Sequence, residues 1–258
     1  MAEEVIKAGE AFYLNVFRFD PDEDREPRFD RFEVPYDDGM TVLSALLWVL
    51  DYADGSLALR YSCREAICGS CAMVINGWFH LACKTQVKDM IRQAGSRDVT
   101  VRPLPNQPII KDLVVDMTGF FEKYRAVMPY LVNDNPPEKE FRQSPEERRA
   151  FDAATICILC GACTASCPTA WTNDKYLGPA ALLKAYRFAA DSRDEAVEAR
   201  LAVVADEEGV YRCHTIFSCT EACPKDIPIT EAIQALKREA TQRILLGKRR
   251  KTIAAAKG

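Results

Sequence analysis

Cys63, Cys68 and Cys71 form a Cys-x4-Cys-x2-Cys run, and Cys83 follows on a separate segment. Two irons need four thiolates, and this plant-type spacing lets one tight loop supply three of them and a distant strand or turn the fourth. A second run, Cys157-x2-Cys160-x2-Cys163-x3-Cys167-Pro168, has the spacing of a bacterial ferredoxin. A third reads Cys213-x5-Cys219-x3-Cys223-Pro224, and the three runs use all eleven cysteines. When the two Cys-Pro ends are aligned, Cys167 matches Cys223, Cys163 matches Cys219 and Cys157 matches Cys213. Cys160 then falls opposite Ile216. In two-cluster ferredoxins the fourth cysteine of each run ligates the other cluster. That exchange assigns Cys157, Cys160, Cys163 and Cys223 to a [4Fe–4S] cubane. It leaves Cys167, Cys213 and Cys219 as a set of three thiolates. Ile216 has no atom that binds iron, so the expected third cluster is [3Fe–4S]. The alternative is a water- or hydroxide-capped fourth iron, and an apolar Ile disfavours a wet corner.

Other chemistries fit these residues less well. An odd number of cysteines and an acidic start, Met1-Ala2-Glu3-Glu4, with no apolar core argue against a secreted disulfide scaffold and against a secretory or transit signal. Only two histidines, His80 and His214, are present, which nearly removes mixed Cys/His zinc sites. A zinc-binding interaction module is the rival from another class; it would be colourless, with zinc in place of iron and acid-labile sulfide. There is no glycine-rich dinucleotide fingerprint, phosphate loop, Ser/His/Asp set or Cys/His set. The chain is therefore expected to carry electrons rather than to transform a substrate, and no catalytic residue is assigned. Net charge is −4, so no basic field points to nucleic acid. The longest apolar stretch, Ala45 to Leu50, is too short to cross a bilayer, so membrane association is expected only through a partner.

The elements that must position these thiolates divide at a proline-rich stretch, Pro103 to Pro108. Before it, Phe12 to Phe19 and Arg31 to Pro35 read as strands, as do Ala72 to Ile75 and Val99 to Val101. Asn76-Gly77 is a hairpin turn, and Thr41 to Tyr52 is a helix by its apolar spacing. Gly69 is expected to let the backbone approach the cluster closely. After the prolines the pattern is helical: Asp112 to Ala126, a start at Ser144 with Pro145 and Glu147 completing a capping box, Pro179 to Ala190, Asp194 to Ala205 and Ile229 to Leu246. The expected fold class is α+β, with a ferredoxin-like domain at 1–110 and a helical domain at 111–258. The tail Lys248-Arg249-Arg250-Lys251 is a small basic cluster, read as a solvated end in preference to a contact with anionic headgroups.

The run from Cys63 to Met73, with Asn76-Gly77 and Leu81-Ala82-Cys83, resembles the N-terminal ferredoxin domain of the iron–sulfur subunit of succinate dehydrogenase and fumarate reductase. Ala66 stands where that family commonly has Gly. The second half resembles the same family, including the Cys-x5-Cys spacing and the cluster order [2Fe–2S], [4Fe–4S], [3Fe–4S]. The resemblance implies a plant-type ferredoxin (β-grasp) domain followed by an all-α bacterial-ferredoxin-like domain. It implies a flavoprotein partner carrying FAD near the [2Fe–2S] end, and a membrane anchor, haem-bearing in some members, near the [3Fe–4S] end, where a quinone exchanges electrons. The chain would then sit peripherally at the cytoplasmic face of the cell membrane, held there by its partners. Family positions at the quinone end that carry over are Pro168, His214, Ile216 and Lys237, with Trp171 beside them; Thr172 stands where the family often has a second Trp. His214 has a solvated surface histidine as its rival reading, Lys237 a solvated helix face, and Trp171 core packing. The same wire serves succinate:quinone and quinol:fumarate turnover. The iron–sulfur subunit of another membrane-associated dehydrogenase is a further rival, but such chains usually keep two complete cubane runs.

Overall fold

The computed structural model describes residues 5–246, which form two compact units. The tail at 248–251 lies outside the described residues. Unit one comprises residues up to Met117 together with Ile158–Ala162; unit two comprises Thr118–Cys157 and the chain from Cys163 onward.

Unit one is a five-stranded sheet with two helices. Strands β1 (Ala11–Arg18) and β2 (Arg28–Pro35) pair antiparallel. Helix α1 (Val42–Tyr52) follows, then the hairpin β3 (Ala72–Ile75) and β4 (Trp78–Leu81), helix α2 (Val87–Ala94) and β5 (Asp98–Arg102). The order is β2-β1-β5-β3-β4, and β5 lies parallel to β1 at the centre. Alternation explains β1: Phe12, Leu14 and Val16 are fully buried, and their neighbours face outward. Val42, Leu46 and Val49 of α1 supply the opposite face of this core. Thr41 caps α1 through a reciprocal pair of bonds with Ser44. This is a ferredoxin-like β-grasp, as expected.

One expected helix begins late. Residues 109–115 form a small hairpin, β6 (Ile109–Lys111) and β7 (Val114–Val115), and the helix runs only over α3 (Thr118–Ala126). The reason lies in Asp112, which has φ +47° at the hairpin turn and is 2% exposed. Its carboxylate accepts from the Arg18 guanidinium at 3.1 Å and from the backbone N–H groups of Phe19 (3.0 Å) and Ala58 (2.9 Å). Arg18, itself buried, also pairs with Asp54 and with Asp30 at 3.3 Å, and donates to Ser56 at 2.8 Å. A helix from 112 would take Asp112 out of this network and cost the buried Arg18 one of its carboxylate partners.

Unit two is helical apart from its connecting loops. Beyond α3 come the short α4 (Pro145–Arg149), α5 (Asp152–Thr155), α6 (Ala162–Ala165) and α7 (Pro168–Thr172), then α8 (Gly178–Ala189), α9 (Val197–Val204), a 3-10 turn at Val210–Arg212, α10 (Ser218–Glu221) and α11 (Ile229–Leu246). The capping box at Ser144 and Glu147 forms as read, with Pro145 opening the helix. Helix α8 is buried on nearly every side, which fits its Ala- and Leu-rich sequence, and it packs on α11 and α9. Arg200 of α9, fully buried, pairs with Asp194 and donates to the carbonyls of Met128 and Tyr130. This ties the extended chain after α3 to the helical core.

Candidate metal centres

The first thiolate set is built on the loop between α1 and β3, in unit one. Arg64 and Ala66 adopt left-handed backbone, φ +59° and +58°, and fold the loop back on itself. Its peptide N–H groups then turn inward onto sulfur. Glu65, Ile67 and Cys68 donate to Cys63 Sγ at 3.3–3.4 Å, Ala66 donates to Cys83 Sγ at 3.2 Å, and Cys63 donates to Cys68 Sγ at 3.5 Å. Such a cradle stabilises anionic sulfur, the form that binds metal. Ser70 hydrogen bonding brings the Cys68 thiol down to about 6, whereas burial pushes Cys71 up to about 12. A buried thiol of that kind becomes a thiolate only when a metal supplies the compensating charge.

Gly69, φ +74°, also has a packing role. A Cβ there would stand 2.8 Å from the Ile158 carbonyl oxygen and 2.9 Å from Cys160 Cβ. The glycine therefore allows the Cys160 segment to lie against the first loop within unit one.

The second set is dispersed along the chain. Cys157 follows α5, Cys163 lies in α6 and Cys223 follows α10, all in unit two, whereas Cys160 belongs to the 158–162 segment of unit one. Lys184 of α8 and Tyr124 of α3 approach Cys157: burial lowers the Lys184 pKa and the cysteine's charge partly restores it. Ser166 Oγ donates to the Ser218 carbonyl at 3.1 Å, joining α6 to the start of α10.

Within unit two, Cys167, Cys213 and Cys219 line one cavity together with Ile216. Each is delivered by a helix end. Cys167 precedes Pro168, the first residue of α7; Cys213 ends the 3-10 turn; Cys219 sits in α10. Thr215 and Phe217 flank Ile216 in left-handed backbone, φ +60° and +69°. Gln234 of α11 donates to Thr215 Oγ1 at 2.8 Å and holds this loop.

The quinone-end candidates separate. Pro168, His214 and Ile216 line the cavity. His214 is exposed, and Ile216 is 52% exposed. Trp171 is 57% exposed rather than packed in the core, and its indole N–H donates to the Ala165 carbonyl at 2.6 Å. Lys237 reaches the third site only through the backbone, donating to the Cys213 carbonyl at 3.3 Å. Tyr176 and Thr230, two further cavity residues, escaped the sequence reading. Tyr176 is 1% exposed and lines the cavity, and burial followed by the three nearby sulfurs raises its phenol. Thr230 also lines it, and Thr220 hydrogen-bonds Thr230. In the sequence Tyr176 lies in a polar stretch after Cys167-Pro168, and neither it nor the threonines carried a signal.

No disulfide joins any of the eleven cysteines. Among the described residues no three His, Cys, Asp or Glu side chains converge as they would around a single ion. The donor chemistry fits iron–sulfur clusters: cysteine sets, turned-in peptide N–H groups and a cavity with the apolar Ile216 among its walls. Together the β-grasp, the helical unit and these sets define an iron–sulfur electron carrier with more than one cluster domain. Residues 13–122 match the 2Fe-2S iron-sulfur cluster binding domain family, and residues 153–227 match the 4Fe-4S dicluster domain family. The chain is 45% identical to the succinate dehydrogenase iron-sulfur subunit of Paracoccus denitrificans, over 90% of this chain and 89% of that one. It is 45% identical to the Coxiella burnetii subunit of the same name, over 89% and 97%. It is 42% identical to the mitochondrial succinate dehydrogenase [ubiquinone] iron-sulfur subunit of Candida glabrata, over 88% and 90%. Among solved structures, a chain of the Mycobacterium smegmatis Sdh1 complex in the apo form superposes with a TM-score of 0.78 at 27% identity, covering 92% of this chain and 98% of that one. This chain belongs to the succinate dehydrogenase iron–sulfur subunit family.

Proposed function

We propose that this chain is the electron-transfer subunit of a succinate:quinone oxidoreductase and carries single electrons from the FAD of a flavoprotein partner to a quinone at a membrane anchor. In this reading Cys63, Cys68, Cys71 and Cys83 hold a [2Fe–2S] cluster in a domain spanning residues 1–110. A second domain, 111–258, carries the rest. Cys157, Cys160, Cys163 and Cys223 hold a [4Fe–4S] cluster, and Cys167, Cys213 and Cys219 a [3Fe–4S] cluster. When bound, the clusters supply one-electron carriers in series, while the chain's residues fix their ligands and tune their potentials. The loop N–H groups stabilise the sulfurs of the first set, and the exposed faces of Trp171, Ile216 and Phe217 form the quinone and anchor end. Pro168 and His214 border the same cavity, and Lys237 steadies the backbone at Cys213. The chain acts at the cytoplasmic face of the membrane, held by its partners; among its described residues no helix is long and apolar enough to cross a membrane.

The observation that carries this reading is the shared cavity of Cys167, Cys213 and Cys219 with Ile216 among its walls. It supports three ligands and an apolar fourth corner. Ile216→Cys tests it: the substitution is expected to convert the third cluster to a four-iron form of lower potential and to slow quinone reduction. Electron paramagnetic resonance reads the outcome, and retention of an unchanged three-iron signal would show that position 216 does not face the open corner.

A further inference from the structure

Cys219 is 8% exposed, and a hydroxyl reaches its sulfur. Thr230 Oγ1, in the first turn of α11, lies 3.4 Å from Cys219 Sγ. Thr220 Oγ1 lies 3.0 Å from Thr230 Oγ1 and also accepts the Thr230 backbone N–H at 3.0 Å. Chemistry fixes the direction of these bonds. A thiolate bound to iron has no proton and can only accept. Thr230 therefore donates its single O–H proton to Cys219. Its oxygen is left as an acceptor, so the O–H between the two threonines comes from Thr220. Thr220 keeps a lone pair for the Thr230 N–H. Every proton in the chain is used, and the chain points at sulfur. Thr230 is 1% exposed, so bulk water does not stand in for its hydroxyl, and serial donation polarises each bond further.

We propose that Thr230, backed by Thr220, sets the reduction potential of the third cluster upward through the Cys219 thiolate. This rests on the reading of Cys167, Cys213 and Cys219 as the ligands of a [3Fe–4S] cluster. One-electron reduction adds one negative charge to the cluster and its thiolates. A hydrogen-bond donor on sulfur stabilises the reduced form more than the oxidised form and so raises the potential. No proton moves: the electron comes from the preceding carrier, and Thr230 remains a neutral hydroxyl in both states. A high potential at this end draws electrons toward the quinone.

The test is a redox titration of the assembled complex, followed by electron paramagnetic resonance, with Thr230→Val, Thr230→Ser and Thr220→Val. Valine keeps the shape and the backbone bond to Thr220 but removes the donor; serine keeps the donor. Thr230→Val is expected to weaken the affinity of the three-iron centre for its electron about tenfold, a fall of about 59 mV for a one-electron couple. Thr230→Ser should remain near wild type, Thr220→Val should fall between, and the [2Fe–2S] midpoint should not move. A full-intensity three-iron signal with an unmoved midpoint in Thr230→Val overturns the proposal. Should Thr230→Val lose the cluster, Thr220→Val decides, since Thr220 can be cut back without removing the hydroxyl on sulfur; an unmoved midpoint there overturns it too. Absence of the oxidised three-iron signal in the wild type is a different result, which defeats the ligand reading itself.

Discussion

Four non-glycine residues in left-handed backbone shape the first and third sulfur loops: Arg64 and Ala66 beside the first set, and Thr215 and Phe217 around Ile216. Each such residue costs about 1–2 kcal/mol relative to ordinary backbone, so each must be held by its surroundings. Thr215 is held by Gln234, and the Ala66 peptide N–H is held on Cys83 Sγ. Ala66 is open to a simple test. Glycine adopts φ +58° without strain but gains freedom in the unfolded chain, worth about 0.4–1 kcal/mol in the opposite sense. Ala66→Gly should therefore stabilise the cluster-loaded chain by up to about 1.5 kcal/mol and leave the [2Fe–2S] signal intact. A thermal melt monitored through the cluster's visible absorbance measures this, and a lower melting temperature would show that the strain assigned to Ala66 is absent. At this scale the sequence was most legible for the cysteines and Ile216, because metal ligation demands particular residue types at particular spacing. Thr220, Thr230 and Tyr176 were not legible, because hydroxyls serve caps, cores and surfaces alike and only the fold brings these three to sulfur.

Helices and strands matter here chiefly as mounts. Cys167, Cys213 and Cys219 all sit in or beside helical segments of five residues or fewer, whose positions depend on what packs around them. The long helices α8 and α11, legible from their apolar period, form the frame for these short pieces. Helix α2 went unread because its period, Val87, Met90 and Ile91, lasts only two turns. The β6–β7 hairpin went unread because strands of three and two residues carry no alternation, and its determinant, the Arg18–Asp112 pair, joins residues far apart in sequence. That network gives a pH prediction. Hydrogen bonds from Ser56 and Arg18 hold the Asp54 carboxyl well below the usual carboxylate range. A depressed folded-state pKa means that the contribution is present above the unfolded value, about pH 4, and is lost as pH falls below it toward the folded value. Unit one should lose stability on acidification through this window, and Asp54→Asn should be less stable than wild type at neutral pH with a flatter acid limb. Melting temperatures at a series of pH values compare the two; parallel acid limbs would contradict the assignment.

At the scale of the whole chain, the two-part organisation was legible because two kinds of cysteine run lie on either side of a change from strand-like to helical patterning. What spacing could not supply was the physical neighbourhood of the third set: a cavity whose walls combine three thiols, Ile216, a buried Tyr176 and a hydroxyl chain on Cys219. Those walls support the proposed three-iron centre and its raised potential. The central claim is therefore the type of the third cluster. Electron paramagnetic resonance of the assembled, oxidised protein tests it most directly. A three-iron signal should be present before any reductant is added and disappear on one-electron reduction, with the [2Fe–2S] signal emerging on mild reduction. An oxidised protein that carries its iron and sulfide but shows no three-iron signal would contradict the account.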